Sequence, residues 1–362
     1  MANIKDVARE SGFSPSTVSI VLNDAPLARY IPQRTKDQIR KAAKRLRYRP
    51  NPFARSLRST RSHTVGVITS DTLDPYFTQI LKGIHNALFH SSFLPVLADI
   101  QNQRARFERY LEMLLDRRVE GLITIANSLL LDMDLLGVVE EQKIPSVIIG
   151  REPVFASTSS VVIDNEAGTR TAMKYLYALG NRRMAFIKGP RQVVDSGQRW
   201  RGICQFAKEV GLKLEEELIV ELEQPASSYE EGYAAMQELL QRRQPFTVLV
   251  AFDDMTAFGV IRALHQAGHR VPQDCAVVGF DDVAAAAYYN PPLTTIRQPL
   301  EKLGEIGVEI LTQAIDASVA GEPFTPVHRR IEPELVVRES TPPAKAPRTK
   351  RHDMTSPPAK RG

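Results

Sequence analysis

The sequence predicts an α/β protein with a small all-helical head and a larger body of doubly wound parallel sheets arranged as two lobes. Three observations support this fold class. Apolar residues recur at helical spacing in the first 48 residues. Short apolar strands alternate with helical stretches from residue 63 onward, and basic residues are concentrated at the two ends of the chain. With 362 residues, the chain is long enough for two or three domains.

The head is predicted to contain three helices. Asn3 is suited to cap the first helix, and Gly12 to end it in a left-handed conformation. Ser14 and Pro15 then mark the N-cap and first turn of a second helix, and residues 33–47 have the apolar spacing of a third. Two short helices joined by a tight turn predict a helix-turn-helix, whose second helix reads the major groove of DNA.

The segment after the head predicts a very short hinge helix. Asn51 is a fair N-cap, Pro52 suits the first helical position, and two turns could follow up to Ser59. A helix this short is marginal alone, because helix nucleation is unfavourable. The sequence divides into four predicted parts: a helix-turn-helix domain (1–49), a hinge helix and linker (50–61), an α/β body (62–340) and a disordered basic tail (341–362).

Charge is distributed unevenly along the chain. Residues 1–61 carry 14 Lys and Arg against 4 Asp and Glu, and residues 341–362 carry 6 against 1. The remaining residues, 62–340, carry 27 against 37, so an acidic body lies between a basic head and a basic tail. A surplus of cations in the module that carries the predicted recognition helix indicates binding to DNA phosphates.

The body shows the alternation typical of doubly wound sheets. Strands are predicted at 64–69, 94–99, 121–125, 144–149, 161–163, 185–188, 248–252 and 276–280. In such sheets, ligands bind outside the carboxyl ends of the strands. Polar residues are found there: Asp74 after the first strand, Asp253 and Asp281 after later ones, and Arg199 in a Gln-Arg-Trp-Arg-Gly stretch. Carboxylates and a guanidinium together suit vicinal hydroxyl groups, which predicts a sugar or sugar acid as ligand.

The head resembles that of the lactose-repressor (LacI/GalR) family of bacterial transcription regulators, and the resemblance extends to about residue 340. It rests on Ile-Lys-Asp-Val-Ala at 4–8, Thr-Val-Ser-x-Val-Leu-Asn at 17–23, Tyr-Arg-Pro-Asn at 48–51 and Ala-Arg-Ser-Leu at 54–57. The resemblance implies a homodimer on a pseudo-palindromic operator. It further implies that Leu57 of each subunit enters a central base step of the DNA. Arg55 lies close to Leu57 in the sequence.

The same resemblance assigns the DNA-contacting residues of the second helix. It places Pro15, Ser16 and Ile20 at base edges, with Thr17, Ser19 and Asn23 nearer phosphates. Members of the family commonly carry a basic residue where this chain has Ile20. An isoleucine cannot make the bidentate contact to guanine, although it can pack on a thymine methyl group.

For the body, the resemblance implies the two-lobed periplasmic-binding-protein fold with an effector between the lobes. The expected N-lobe comprises about 62–162 and 292–325, and the expected C-lobe about 163–291 and 326–340. The implied effector-contacting residues are Asp74, Tyr76, Arg199, Asp253 and Asp281. The tail has no leucine heptads for a tetramerising coiled coil, so a dimer is expected.

Other functions remain as alternatives. A purine- or nucleoside-sensing regulator would have the same fold, and so would a solute-binding component of a transport system. An enzyme is disfavoured, because no phosphate loop, histidine cluster or nucleophile elbow occurs in the sequence. The two isolated cysteines do not indicate a metal site or disulfide, and no cofactor is expected. The absence of a signal-peptide pattern and of long apolar runs predicts a cytoplasmic location and no membrane span.

Overall fold

The computed structural model describes residues 2–48, 61–126, 133–153, 155–224 and 228–342, without the side chains of 133–136. Two compact units are distinguished, residues 1–63 with 117–120 and residues 64–116 with 121–362. Residues 49–60, which include Arg55 and Leu57, and residues 343–362 of the tail lie outside the described residues. The hinge helix and the disordered tail therefore stay predictions. Within the described residues, no helix is both long enough and apolar enough to cross a membrane.

Three helices form the head: α1 (Ile4–Ser11), α2 (Pro15–Leu22) and α3 (Gln33–Arg45). The first helix begins with a complete capping box, in which Asn3 and Asp6 bond each other's backbone N–H. It ends at Gly12 in the left-handed region, with φ 75°. The helices enclose a small core that includes Val7, Val18, Val21, Ile39, Ala42 and Ala43. The helix-turn-helix predicted from the sequence is confirmed.

Two details of the head differ from the prediction. A 3₁₀ turn, Pro26–Tyr30, lies between α2 and α3 and was not predicted. The third helix ends at Arg45 rather than at residue 47, because Arg47 takes a left-handed conformation with φ 50°. The Tyr48 N–H then donates to the Ala43 carbonyl and closes the helix.

The first unit also contains the end of the linker. The Arg61 guanidinium pairs with the Glu120 carboxylate at 2.7 Å, and both side chains are at least two-thirds buried. The His63 N–H donates to the same carboxylate at 2.6 Å, and the Ser62 hydroxyl donates to the Arg118 carbonyl at 2.7 Å. Residues 61–63 are thus held by an ion pair and hydrogen bonds to residues 118 and 120, in the loop that precedes the third strand of the body.

The body contains two six-stranded sheets covered by helices. The strands are β1 (Thr64–Thr69), β2 (Leu94–Asp99), β3 (Gly121–Ile125), β4 (Ser146–Ile149), β5 (Ser159–Ile163), β6 (Met184–Lys188), β7 (Ile219–Glu221), β8 (Val248–Val250), β9 (Ala276–Asp281), β10 (Thr294–Arg297), β11 (His328–Ile331) and β12 (Glu334–Val336). The helices are α4 (Pro75–Phe89), α5 (Arg104–Asp116), α6 (Met133–Glu141), α7 (Asn165–Ala178), α8 (Val194–Val210), α9 (Tyr229–Gln241), α10 (Asp254–Gln266) and α11 (Leu300–Ala320).

Each sheet is the centre of one lobe. The N-lobe sheet has the order β11-β5-β4-β3-β1-β2 and is entirely parallel. The C-lobe sheet has the order β12-β10-β9-β8-β6-β7 and is parallel except for the edge strand β12. Buried strands of Val, Ile and Leu fit sheets covered on both faces. The predicted two-lobed, doubly wound architecture is confirmed.

Two of the three predicted crossings between the lobes are displaced. The chain crosses at 163–165, as predicted, but then at 297–300 and 331–334 instead of near 291 and 325. Residues 292–297 therefore belong to the C-lobe, because β10 pairs with β9. Residues 326–331 belong to the N-lobe, because β11 pairs with β5. The second error has a physical cause, since β11 is an exposed edge strand without an apolar pattern.

Paired helices in each lobe approach so closely that only glycine fits between them. In the N-lobe, a Cβ atom on Gly83 of α4 would collide with the Glu301 carbonyl of α11, and one on Gly304 would collide with the Ile80 carbonyl. In the C-lobe, Gly259 of α10 meets the backbone of α9 in the same way. These contacts involve backbone on both sides, so flexible side chains cannot relieve a substitution.

Candidate DNA-binding head and effector cleft

The recognition helix α2 divides its side chains between the core and the surface. Val18 and Val21 are buried, whereas Pro15 and Ser16 are exposed and Ile20 is half-buried. The helix begins as the sequence predicts, since the Ser14 hydroxyl accepts from the Thr17 N–H at 3.1 Å. A polar start with two exposed side chains can be presented to base edges.

The three residues expected near phosphates are not equivalent. The Thr17 hydroxyl bonds the Ser14 hydroxyl at 2.9 Å. The Asn23 amide nitrogen donates to both the carbonyl and the hydroxyl of Ser19, at 2.9 and 3.2 Å. These two bonds use both amide hydrogens of Asn23, so this conformer has no side-chain donor left for a phosphate. The Ser19 hydroxyl accepts in this pair and keeps its own hydrogen to donate.

The unpredicted 3₁₀ turn adds a basic and aromatic pair to the head. The Arg29 guanidinium lies 4.7 Å from the centre of the Tyr30 ring and donates to the Tyr30 hydroxyl at 2.7 Å. Tyr30 is 70% exposed, while Ala28 anchors the turn in the interior. Pro26, at the first position of this turn, is the sequence signal that could have indicated it.

A cleft of about 540 Å³, counting space open to solvent, lies between the two lobes of the body. Its lining includes all five residues predicted to contact an effector: Asp74, Tyr76, Arg199, Asp253 and Asp281. The sequence analysis did not select the other lining residues: Asp71, Phe77, Asn102, Pro190, Val193, Asp195, Leu222 and Phe252.

The N-lobe side of the cleft is built at the start of α4. Asp74 is the N-cap of this helix, and its carboxylate accepts from the Tyr76 N–H at 2.9 Å. Tyr76 is buried and packs edge-on against Phe77, with ring centres 5.1 Å apart. Asp71 precedes this turn and accepts from the Leu73 N–H at 2.8 Å. Capping thus explains why carboxylates stand at this end of β1.

The C-lobe side combines another helix cap with the end of a central strand. Asp253 is the N-cap of α10 and accepts from the Thr256 N–H at 2.8 Å. Asp281 is the last residue of β9 and has a φ of 116°, which is unusual for a residue with a side chain. Asp74 and Asp281 therefore lie on opposite lobes, as predicted.

Arg199 on α8 is the cationic centre of the cleft lining. It is 6% exposed and donates to the Asn165 amide oxygen (3.0 Å), the Phe252 carbonyl (2.6 Å) and the Asp281 carboxylate (3.2 Å). Its guanidinium also stacks 3.7 Å from the centre of the Phe280 ring. Three of its five N–H groups are used in these bonds, and the Asp195 carboxylate lies 4.0 Å from its Nη2 atom.

Burial and like charges shift the titration of the cleft carboxylates. The pKa of Asp74 is raised to about 7, mainly by burial; the hydrogen bond from the Tyr76 N–H opposes this shift, and the negative charges of Asp253 on the other lobe and of Asp71 add to it. Burial also raises the pKa of Asp281 well above its ordinary value, and the charge of Arg199 opposes this shift. Five carboxylates and one guanidinium make the lining strongly rich in hydrogen-bond acceptors.

Three aspartates outside the cleft lining have structural partners: Asp164, Asp254 and Asp282. Asp282 pairs with Arg297 at 2.6 Å and with Arg338 at 2.7 Å. Asp164 caps α7, accepting from the Ala167 N–H at 2.9 Å. Asp254 is not a cap, because Asp253 occupies that position. The buried Asp254 carboxylate instead accepts from the Thr295 hydroxyl (2.5 Å) and the Val283 N–H (2.9 Å), and burial raises its pKa to about 8. Across the described residues, no group of three His, Cys, Asp or Glu side chains is arranged to hold a metal ion.

Comparison with known proteins follows this division into head and body. Residues 3–51 match the family described as "Bacterial regulatory proteins, lacI family", and residues 173–341 match "Periplasmic binding protein-like domain". The HTH-type transcriptional repressor PurR of Photorhabdus laumondii is 33% identical over 342 residues, which are 94% of this chain and 97% of the relative. The PurR of Erwinia tasmaniensis is 34% identical over 317 residues, 87% of this chain and 91% of that relative. The chain belongs to the lacI family.

Solved structures of transcription regulators share this fold. The lac repressor dimer bound to operator and the anti-inducer ONPF matches with a TM-score of 0.83 at 27% identity, over 94% of this chain and 99% of that one. The complex of the transcriptional regulator CelR with cellobiose matches with a TM-score of 0.69 at 31% identity, over 94% and 100%. This lacI-family chain is a DNA-binding transcription regulator whose body takes a small-molecule effector.

Proposed function

We propose that this protein is a repressor whose operator affinity is controlled by a neutral sugar bound in the cleft between the lobes. The observation that carries the proposal is the composition of the cleft, where carboxylates from both lobes surround one partly committed guanidinium. Sugar hydroxyls donate to carboxylates, and their oxygens accept from guanidinium N–H groups. A ligand that engages both Asp74 and Asp281 would favour one arrangement of the lobes.

The charge of the cleft narrows the sugar class. The only guanidinium among the described lining residues is already paired with Asp281, so the lining offers an added carboxylate no uncommitted cation. A neutral sugar is therefore favoured over the sugar acid that the sequence also allows. Two structurally similar regulators, CelR in complex with cellobiose and an Enterococcus faecium lacI-family regulator with bound ribose, give further support.

A purine or nucleoside effector is the second candidate. It is favoured by the relatives reported above, which are repressors named PurR. The cleft also offers aromatic surface, from Tyr76, Phe77 and Phe252. However, Tyr76 and Phe77 are packed edge-on against each other, and the polar groups are mainly acceptors. A purine base would therefore have to donate hydrogen bonds from its N–H groups to the carboxylates.

The rest of the proposal concerns the partners and the place of action. We infer a homodimer on a pseudo-palindromic operator, because one recognition helix in each subunit requires two half-sites. A mobility-shift titration should show weaker binding to an isolated half-site, and an affinity that falls steeply with salt. Such a regulator acts in the cytoplasm and performs no chemistry on its effector, so no substrate should be consumed.

A direct binding screen tests the effector class. Trp200 is the only tryptophan of the chain and follows Arg199 on α8, so its fluorescence should report on the cleft. Cellobiose, glucose, ribose, gluconate, hypoxanthine and guanine would be titrated by fluorescence and by thermal shift. A neutral sugar should stabilise the protein. Stabilisation by gluconate or by a purine alone would overturn the sugar assignment.

Matched variants then test the location. Asp281→Asn should abolish the thermal shift caused by the bound compound. Asp274→Asn makes the same chemical change at a carboxylate of the same lobe that is bonded to Arg270 and does not line the cleft, so this variant should respond normally. An equal response in both variants would show that the effector binds elsewhere.

A further inference from the structure

Two buried amide side chains connect the cleft to the places where the chain passes between the lobes. Asn165 follows the first crossing, and Gln298 lies in the second. Each is only 4% exposed. Neither is part of the cleft lining, yet each bonds a charged residue of the cleft directly.

Asn165 uses its whole amide group at the first crossing. Its oxygen accepts from Arg199 Nε at 3.0 Å, and its nitrogen donates to Asp195 (3.0 Å) and to Gln198 (2.8 Å). The preceding residue, Asp164, donates its N–H to the Ile331 carbonyl at the third crossing, at 2.9 Å. The position of Arg199 is thus tied to two crossings through one side chain and its neighbour.

Gln298 has the corresponding role at the second crossing. Its amide nitrogen donates to Asp281 Oδ1 at 2.6 Å, the same oxygen that accepts from Arg199. Its backbone N–H donates to the Asp281 carbonyl at 3.3 Å. The neighbouring Arg297 pairs with Asp282 at 2.6 Å and with Glu334, at the third crossing, at 2.8 Å.

We propose that Asn165 and Gln298 are positioning residues that connect the Arg199–Asp281 pair to the interlobe crossings. A ligand bound to this pair then changes the equilibrium between the arrangements of the two lobes. This inference rests on the proposed effector cleft and adds the route by which it acts. A ligand on this pair competes for, or reorients, hydrogen bonds that also fix both crossings. Two sites become coupled when both bias the same element, and the crossings are that element here.

The proposal can be tested on the full chain without a ligand, by hydrogen–deuterium exchange at the crossings. The reporters are the backbone N–H groups of Asp164 and of residue 298, which are bonded to Ile331 and Asp281. Gln298→Leu removes the side-chain donor. It should speed exchange at Asp164, on the other crossing, by about tenfold. Asn165→Leu should likewise speed exchange at residue 298.

A double variant separates this route from general destabilisation. In an Asp281→Ala background the connection is already broken, so adding Gln298→Leu should change exchange at Asp164 by less than about twofold. Independent effects of the two substitutions would multiply instead and would overturn the proposal. Unchanged exchange at Asp164 in Gln298→Leu would overturn it as well. If Asp281→Ala does not fold, Asp281→Ser replaces it in the same cycle.

A charge control and the sugar screen complete the design. Asp274→Asn removes a carboxylate of the C-lobe that bonds Arg270 and does not line the cleft, so exchange at both reporters should stay at the wild-type rate. A change as large as that in Gln298→Leu would contradict the route. Because these measurements contain no effector, failure of the sugar screen would leave their outcome unaffected, and the two proposals can fail separately.

Discussion

Replacing Arg199 by methionine should destabilise the C-lobe strongly. The guanidinium is 6% exposed, donates three hydrogen bonds and is 3.2 Å from the Asp281 carboxylate. Its removal leaves Asp281 buried without its cationic partner. Breaking a buried ion pair from one side costs about 3–5 kcal/mol in unfolding free energy. Methionine retains apolar contact with Phe280, so most of the loss should come from the charge and the hydrogen bonds.

Urea unfolding followed by the fluorescence of Trp200 measures this loss, because Trp200 packs against Phe186 in the core of the same lobe. The double variant Arg199→Met with Asp281→Asn should recover about 1–3 kcal/mol, because the uncompensated carboxylate is gone. The cost of Arg199→Met alone should also grow as pH rises, since Asp281 can be neutralised by a proton at low pH. A loss below about 1 kcal/mol, or additivity in the double variant, would refute this account of the pair.

Three further outcomes are expected. The pKa of Asp254 is about 8 in the folded state, against an ordinary value of 3.8, so the unfolding free energy of the wild type should fall as pH rises from about 4 to about 8. Urea titrations at pH 5 and pH 8 measure this fall, and Asp254→Asn should make it smaller. Ser14→Ala removes the cap of α2 and should lower the stability of the head by about 1 kcal/mol, measured by circular dichroism against Ser16→Ala, whose exposed hydroxyl caps nothing. Leu57→Ala, outside the described residues, should weaken operator binding by about 1–3 kcal/mol in mobility shifts without changing effector binding; unchanged affinity would remove the wedge role.

The parts of the fold that carry a strong periodic signal could be predicted from the sequence. The runs at 64–69, 94–99 and 121–125 coincide with the observed strands because they are apolar on both faces. The helix starts at Asn3 and Ser14 were predicted from capping chemistry, which is local. The edge strand β11 was missed, since its side chains are mostly exposed and its pairing with β5 is non-local.

The residues of the cleft could likewise be predicted where the sequence carries a local pattern and were missed where it does not. Asp74, Asp253 and Asp281 were selected because they follow strands whose carboxyl ends meet at one edge, a rule that needs only the strand pattern. Asp195 was accessible in principle, because it precedes Arg199 by one helical turn. Asn165 and Gln298 were not selected, since a single amide at a crossing has no pattern in sequence. Their side-chain partners lie 17 to 34 residues away in the chain, so these contacts arise only when the C-lobe is folded.

The glycine contacts between paired helices determine where this body can move. Because α4 and α11 touch backbone to backbone at Gly83 and Gly304, the helix that begins at Asp74 cannot slide over the helix that follows the second crossing. The contact of Gly259 with α9 restrains the C-lobe in the same way. A displacement of one lobe against the other would then fall on the three crossings, at 163–165, 297–300 and 331–334. A single methyl group at Gly83 or Gly304 would force the helices α4 and α11 apart. These glycines therefore preserve the tight helix packing that allows a small molecule to displace a whole lobe.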